Sequence, residues 1–452
     1  MNAVILGAGR RGLRLAHRLI QENKSVTIVD SSKEKCTQTV AKLDCMAVCG
    51  SATDLSVLKE AGCEEADFIV AVTDSDEVNL VACGIAASNF RKAKTVSAIR
   101  GVSYVGSDNE QTKILGIDHV VNPDLEAASR ISGILQSGLF SDVITFDDAD
   151  FILFSSNVSS GQAEFEGKTL IEVKKALPGN YVIIGIKRGS KVFTPSGNTV
   201  LQKGDELAIM AVDDDSESIY KAFRGTMVNT RLRRIIIVGG TRITKFLLQE
   251  LPTKTLRRIT LIERDAEVCR EFSDDFPQIL VLNESITDEN LWEDERLSAA
   301  DLIISVTEND ELNIITASYA KRIGTKRSIA LLKTNPNYVQ FAQNMDIDVA
   351  ISTTEATVDT IMKHVRGDAI KTLHSTFNGD LEVYEYVLTD SFSKLGKQLM
   401  EVDLRGKCII AGIKRSKIES FVPNGTYQFT AGDTVLVACA HENYDFVTGF
   451  FK

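Results

Sequence analysis

In "NAVILGAGRRGLRLAHRL" (2–19), Gly7, Gly9 and Gly12 stand in the order G-x-G-x-x-G between an apolar run and a helical pattern. The run "AVIL" reads as a strand, the residues after Gly12 read as a helix rich in Leu, Ala and Arg, and the next apolar run, "SVTIVD" (25–30), ends at Asp30. Asp30 follows Gly12 by 18 positions, close to the interval expected of a dinucleotide-binding βαβ unit. In such a unit Gly7 allows the tight turn, Gly9 lets a pyrophosphate approach the backbone, and Gly12 lets the helix pack on the strand. The free N–H groups at the helix start then face the anion. Ala8, Arg10 and Arg11 complete the turn, and either guanidinium can reach a phosphate or face water. A carboxylate at position 30 accepts hydrogen bonds from a ribose diol and repels a 2′-phosphate, so NAD or an adenosine nucleotide is preferred over NADP.

Further strand ends point to the same crevice, since ligands of open α/β sheets lie beyond the carboxyl ends of the strands. "CGSATDLSVL" (49–58) places Thr53 and Asp54 there, "AVTDSDE" (71–77) places Thr73 and Asp74, and "SAIR" (97–100) places Arg100. Thr53, Asp54 and Asp74 are also good helix N-caps, and capping and ligand contact are compatible.

Short apolar runs alternating with helical patterns specify βαβ crossovers and a doubly wound parallel sheet, an α/β Rossmann-like domain over 1–125. Beyond it, "DLEAASRISGILQSGLF" (124–140) has the spacing of a connecting helix, a candidate hinge. "DVITFD", "YVIIGIKR" and "DELAIMAV", with a helix in "KTLIEVKKAL" and turns at "PSGN" and "KGD", then form a small α+β lobe over 140–224. This pair is written twice. "EADFIVAVTDSDEVNL" (65–80) returns as "AADLIISVTENDELNI" (299–314), and "YVIIGIKRGSKVFTPSGNTVLQKGDELAIM" (181–210) returns as "CIIAGIKRSKIESFVPNGTYQFTAGDTVLV" (408–437). A second Rossmann-like domain is expected over 232–355 and a second lobe over 372–452.

The second glycine loop departs from the first. "RIIIVGGTRITKFLL" (234–248) keeps Gly239, followed by Gly240, Arg242 and Ile243, but has Thr241 and Thr244 where Gly9 and Gly12 stand. A Cβ at 241 obstructs backbone approach to a pyrophosphate. Glu263 ends the next strand as Asp30 does, Lys333 stands where Arg100 does, and Asp288 and Thr307 complete the candidate set. A weaker, different or empty second site is expected.

With 452 residues, 44% hydrophobic and 25% charged, the chain has ample material for several packed cores. A net charge of -11 argues against nucleic acid as partner. The longest apolar runs, such as "RRIIIVGG", have strand length, and glycines and arginines break the N-terminal apolar stretch too early for a signal peptide, so a cytoplasmic address is expected. Eight cysteines form no C-x-x-C pair; Cys45 and Cys49 are the closest, and all read as reduced thiols with no metal site. A dehydrogenase needs a proton donor or acceptor beside the nicotinamide. Neither His17 nor His119 stands in a strand-end loop with a carboxylate, and no nucleophile or metal arrangement occurs, so no catalytic residue is assigned.

"ILGAGRRG", the acid of "IVD", "GSATD", "VAVTDSDEVN" and the lobe signature "GIKRG…P…G…L..GD", in a chain that repeats this order, resemble the TrkA family of Trk potassium-uptake regulatory proteins, built from tandem RCK (KTN) domains. The resemblance covers nearly the whole chain. It implies a peripheral subunit on the inner face of the plasma membrane, a homo-oligomer, a tetramer forming a ring, docked on a membrane potassium transporter subunit (TrkH-like). It further implies NAD(H) or ATP/ADP as regulatory ligand, held by Gly7, Gly9, Arg10, Arg11, Gly12, Asp30, Thr53, Asp54, Thr73 and Arg100. On this reading the nucleotide biases the lobes and so the pore; the alternative is an NAD-dependent oxidoreductase.

Overall fold

The structure is a computed structural model that describes residues 1–101, 114–137, 144–146, 149–158, 165–189, 191–224, 232–294, 297–333, 337–343, 345–366, 373–377, 380–404, 406–415 and 419–451. The chain divides into two compact units, one of Met1–Phe140 with Thr230–Val365 and one of Ser141–Asn229 with Arg366–Lys452. Each unit therefore unites the corresponding parts of both sequence repeats.

In the first unit the N-terminal copy runs β1 (Asn2–Leu6), α1 (Arg10–Gln21), β2 (Ser25–Asp30), α2 (Lys33–Lys42), β3 (Met46–Cys49), α3 (Leu55–Glu60), β4 (Phe68–Ala71), α4 (Asp76–Asn89), β5 (Lys94–Ala98), β6 (His119–Val121) and α5 (Pro123–Ser137). Its six strands are parallel in the order β3-β2-β1-β4-β5-β6, the doubly wound arrangement whose switch point lies between β1 and β4. Buried on both faces, β4 consists wholly of apolar residues, as central parallel strands do.

After the first lobe the pattern returns. The second copy is β12 (Ile235–Val238), α8 (Arg242–Glu250), α9 (Thr253–Leu256), β13 (Ile259–Glu263), α10 (Ala266–Asp275), β14 (Leu280–Asn283), α11 (Glu289–Asp294), β15 (Leu302–Ser305), α12 (Asp310–Ile323), β16 (Arg327–Leu332), α13 (Asn337–Gln343), β17 (Val349–Ser352) and α14 (Thr353–Arg366). Its strand order, β14-β13-β12-β15-β16-β17, repeats the first.

The expected connecting helix is α5, and it packs on the other copy. Ala127, Ala128 and Ile131 join Ile243, Leu247 and Ile304 in one apolar cluster. In reciprocal fashion, α14 meets α1: Arg14 Nε lies 2.6 Å from Glu355 Oε1, and Asp359 accepts hydrogen bonds from both Arg18 and Arg130. His119 stacks on His364 with ring centroids 4.1 Å apart, so this histidine is a packing residue across the same seam.

The second unit holds the lobes. The first comprises β7 (Ile144–Phe146), β8 (Ala149–Asn157), α6 (Leu170–Ala176), β9 (Tyr181–Arg188), β10 (Lys191–Phe193), β11 (Glu206–Val212) and α7 (Asp213–Arg224). The second comprises β18 (Leu373–Thr376), β19 (Leu381–Val387), β20 (Cys408–Arg415), β21 (Glu419–Phe421), β22 (Thr434–Ala440) and α15 (Tyr444–Phe451). Their antiparallel sheets, β10-β9-β11-β8-β7 and β18-β19-β22-β20-β21, match strand for strand. They also pack reciprocally. A Cβ at Gly185 would stand 2.4 Å from Leu381, and one at Gly412 would stand 2.5 Å from the Phe151 ring, so both glycines are required by close sheet-to-sheet approach. The repeated "KR" and "GD" elements are ion pairs: Arg188 grips the fully buried Asp205 at 2.7 and 2.8 Å, as Arg415 grips Asp433 at 3.2 and 3.1 Å.

Asp359 is the acceptor shared by two arginines at this seam. Burial pushes this carboxyl up, but Arg18 and Arg130 together hold it below the ordinary aspartate range. Removing the carboxylate leaves Arg18, 2% exposed, without that partner. Asp359→Ala is expected to cost about 3–5 kcal/mol in urea unfolding at neutral pH. Because the folded pKa lies below the unfolded one, this stabilisation is full above about pH 4 and fades as pH falls through the folded value. Parent and variant should therefore converge in strong acid; equal urea midpoints at pH 7 would contradict the assignment.

Candidate functional site: two glycine loops, one open and one capped

In the first copy the chain leaves β1 through Gly7, whose φ of +115°, together with the 3.1 Å at which a Cβ there would stand from the Thr73 backbone nitrogen, disfavours other residues. Asp30 fixes the loop from below: Oδ2 accepts the Ala8 N–H at 2.8 Å and Oδ1 accepts the Ser32 N–H at 2.9 Å. Each oxygen keeps a lone pair for a further donor, such as a ribose hydroxyl. Gly12 is structural, since a Cβ there would lie 1.9 Å from the Gly7 carbonyl oxygen.

Gly9 is different. As N-cap of α1 it has no side chain to offer, there is no acidic residue in the first turn, and a Cβ built on it would meet nothing within 4 Å. No protein contact requires a glycine here, whereas a ligand lying against the backbone would. Arg11 lies in this first turn, and its guanidinium is pushed down to about 10 by burial and by the neighbouring Arg100, with Asp74 and Asp124 acting in the opposite sense. Two cations held together at the start of an uncapped helix form a field that attracts anions.

Thr73 and Arg100 are placed by residues that the motif reading passed over. Fully buried Asn79 takes the Thr73 N–H and hydroxyl on Oδ1 at 2.9 and 2.7 Å and donates to the Thr73 and Ala98 carbonyls. Asp76 accepts the N–H groups of Arg100 and Gly101. The signal was available: the D-x-x-N spacing recurs as Asp310 and Asn313, which hold Lys333 and Thr307 in the same way. Asp54 caps α3 through the Ser56 N–H at 2.8 Å, and Thr53 bonds the Ser51 hydroxyl at 2.9 Å, both within the turn that follows β3. The cap of α4 is Ser75, not Asp74, which leaves Asp74 facing Arg11.

The second loop has the same frame with its opening filled. Gly239 has φ +107° and a Cβ there would stand 3.0 Å from the Thr307 backbone, and Glu263 accepts the Gly240 N–H at 2.7 Å as Asp30 accepts that of Ala8. Here, however, Thr241 caps α8 by accepting the Thr244 N–H, and the Thr244 hydroxyl donates to the Gly239 carbonyl at 2.6 Å. Fully buried Ile243 stands where Arg11 does. The remaining cations are engaged: Arg242 pairs with Asp124 at 3.1 Å and Lys333 with Glu308 at 2.6 Å. Asp288 accepts the Asn290 N–H at the start of α11. The start of the first helix thus has no side-chain cap, whereas in the second loop the Thr244 N–H and hydroxyl and the Arg242 and Lys333 side chains are engaged within the chain.

Among the described residues no helix is long and apolar enough to cross a membrane, and no group of three or more His, Cys, Asp or Glu could hold a metal ion. Comparison with known proteins matches the TrkA-N domain at residues 3–123 and 235–353 and the TrkA-C domain at 156–224 and 383–451. The Trk system potassium uptake protein TrkA of Halomonas elongata is 28% identical over 442 residues, 97% of this chain and 95% of that protein. That of Vibrio alginolyticus is 29% identical over 98% of this chain and 97% of its own length. Among solved structures, the GsuK channel bound to NAD aligns with a TM-score of 0.57 at 18% identity, covering 100% of this chain and 78% of that one, and the GsuK RCK domain aligns at 0.56 over 94% of its length. These likenesses carry the tandem RCK fold. With TrkA-N and TrkA-C domains each present twice in alternation, the chain belongs to the TrkA family of the Trk potassium uptake system.

Proposed function

We propose that this chain is the nucleotide-sensing regulatory subunit of a Trk-type potassium uptake transporter, not an enzyme, with its dominant site in the first copy. The observation that carries this reading is the uncapped start of α1 over Gly9, with the desolvated Arg11 beside Arg100. NAD(H) and ATP/ADP are the ligands whose phosphates and ribose suit these groups. The α1 N–H groups and Arg11 hold the phosphates, Asp30 accepts from the ribose, and Thr73 and Arg100 line the far side. Further support comes from relatives named for potassium uptake and from a structurally similar channel solved with NAD. The four domains, 1–125, 140–224, 232–355 and 372–452, then act as two sensor-and-lobe pairs. The assembled form is a homo-oligomer, a tetrameric ring, docked peripherally on the inner face of a TrkH-like membrane subunit.

Regulation requires that ligands bind two conformations unequally, because equal affinity shifts nothing. Arg11 and Arg100 repel each other until a phosphate lies near them, so their spacing responds to how much negative charge is bound. Ligands of different charge would thereby favour different conformations.

Calorimetric titration with NADH, ATP and ADP tests the site. Asp30→Ala is expected to weaken binding by about tenfold to a hundredfold, the loss of hydrogen bonds to a charged acceptor, while Glu263→Ala leaves it unchanged. NADH is not consumed. No binding by the parent chain, or equal losses in both variants, would overturn the proposal.

The two glycines separate function from folding. Gly9→Ala should keep stability within about 1 kcal/mol, since φ there is −76° and the Cβ meets open space, yet lose nucleotide binding by about tenfold or more. Gly12→Ala should instead destabilise the chain by about 1–3 kcal/mol through its clash with the Gly7 carbonyl. Thermal unfolding of both variants beside the titration distinguishes the two cases.

A further inference from the structure

Asp30 has two thiols for neighbours. Cys36, in the first turn of α2 and 7% exposed, donates to the Asp30 carbonyl at 3.3 Å and to the Val48 carbonyl at 3.7 Å. Cys49 ends β3 directly opposite Asp30 in the strand register, is exposed, and donates to the Ser31 carbonyl at 3.9 Å. The two thiols are also close enough to interact with each other. The remaining cysteines differ in exposure. Burial pushes Cys63, Cys83 and Cys408 up to about 12, which makes them poor nucleophiles, and leaves Cys49 the exposed thiol of the chain.

We propose that Cys36 and Cys49 form a reversible disulfide that weakens nucleotide binding in the first crevice. The effect on binding rests on the function proposed above; formation of the bond does not. The oxidant is a hydroperoxide. The Cys49 thiolate attacks one peroxide oxygen, forming a sulfenic acid and releasing an alcohol, or water when the oxidant is hydrogen peroxide. The Cys36 thiolate then attacks that sulfur, forming the S–S bond and expelling hydroxide, which leaves as water with the thiol proton. Two thiols are oxidised by two electrons as one O–O bond is reduced. Burial and the adjacent Cys49 push the Cys36 thiol up, so it is a poor nucleophile toward free peroxide and reacts only in the second step, where the fold holds it against the oxidised Cys49.

The second copy supplies an internal control. Cys269 donates to the Glu263 carbonyl at 3.2 Å as Cys36 does to that of Asp30, but the residue paired with Glu263 on the neighbouring strand is Asn283. Asn283 Nδ2 donates to the same carbonyl at 3.2 Å, so the place of the second thiol is taken by an amide that cannot cross-link. The thiol pair therefore occurs only beside the open loop.

Oxidation would act on Asp30 directly. A disulfide has no S–H, so the donations to the Asp30 and Ser31 carbonyls end. It also tethers the first turn of α2, whose Ser32 N–H holds Asp30 Oδ1 and whose Lys35 ammonium lies 3.9 Å from Oδ2. Both changes move the carboxylate assigned to the ribose.

The test treats the full chain with hydrogen peroxide or dithiothreitol, maps cross-linked peptides by mass spectrometry, and titrates ADP and NADH into each form. The expected result is a Cys36–Cys49 linkage, at least about fivefold weaker binding, recovery on reduction, and no oxidant response in Cys49→Ser or Cys49→Asn. Oxidation of Cys49 without linkage to Cys36, or a linkage that leaves affinity unchanged, overturns the proposal. If the linkage forms but the reduced chain binds neither nucleotide, the function proposed above fails and takes the regulatory half of this inference with it.

Discussion

A helix begins with backbone N–H groups that its own turns cannot satisfy, and each copy of this chain meets that constraint differently. In the second copy the Thr241 side chain accepts one of them and the Thr244 hydroxyl closes the loop from within. In the first, Gly9 offers no side chain, the first turn holds no acidic residue, and Arg11 and Arg100 stand close enough to act on each other. An acceptor from outside the chain is the natural complement. The rest of the first crevice follows from holding this opening in place: Gly7 against Thr73, Ala8 on Asp30, Asn79 and Asp76 fixing the ends of β4 and β5.

Duplication within one chain makes this division of labour possible. In the first unit each copy lends its last helix to the other, α5 entering the core of the second copy and α14 meeting α1 across the arginine–carboxylate cluster. The two lobes do the same with Gly185 under Leu381 and Gly412 under Phe151. Arg242, the counterpart of Arg10, pairs with Asp124 of the first copy, a residue that also influences Arg11. The second copy is thus built into the surroundings of the first site even with its own loop closed.

Periodicity and glycine spacing suffice for the doubly wound sheets, their duplication and the lobes, because those depend on local pattern. The glycine loop, Asp30 and the strand-end positions were legible for the same reason: each is set by its own strand and turn. Residues that act across the seam were not. Arg18 and Asp359 lie 341 positions apart, and nothing in either neighbourhood announces the pair. Asn79 and Asp76 fall between these cases, since their recurrence as Asn313 and Asp310 marks them while their role, tying two strand ends together, needs the sheet. The thiol pair escaped because spacing along the chain favours Cys45 with Cys49, whereas the α2–β3 fold brings Cys36 to Cys49 instead.

One helix start is capped from within the chain and the other is not, and the number of nucleotides bound per chain reports that inequality. Native mass spectrometry of the intact protein across an ADP series should show one nucleotide per chain filling first and a second absent or taken up only at far higher concentration. Two nucleotides filling each chain with equal affinity would contradict it, because the capped second loop would then be as good a phosphate site as the open first one.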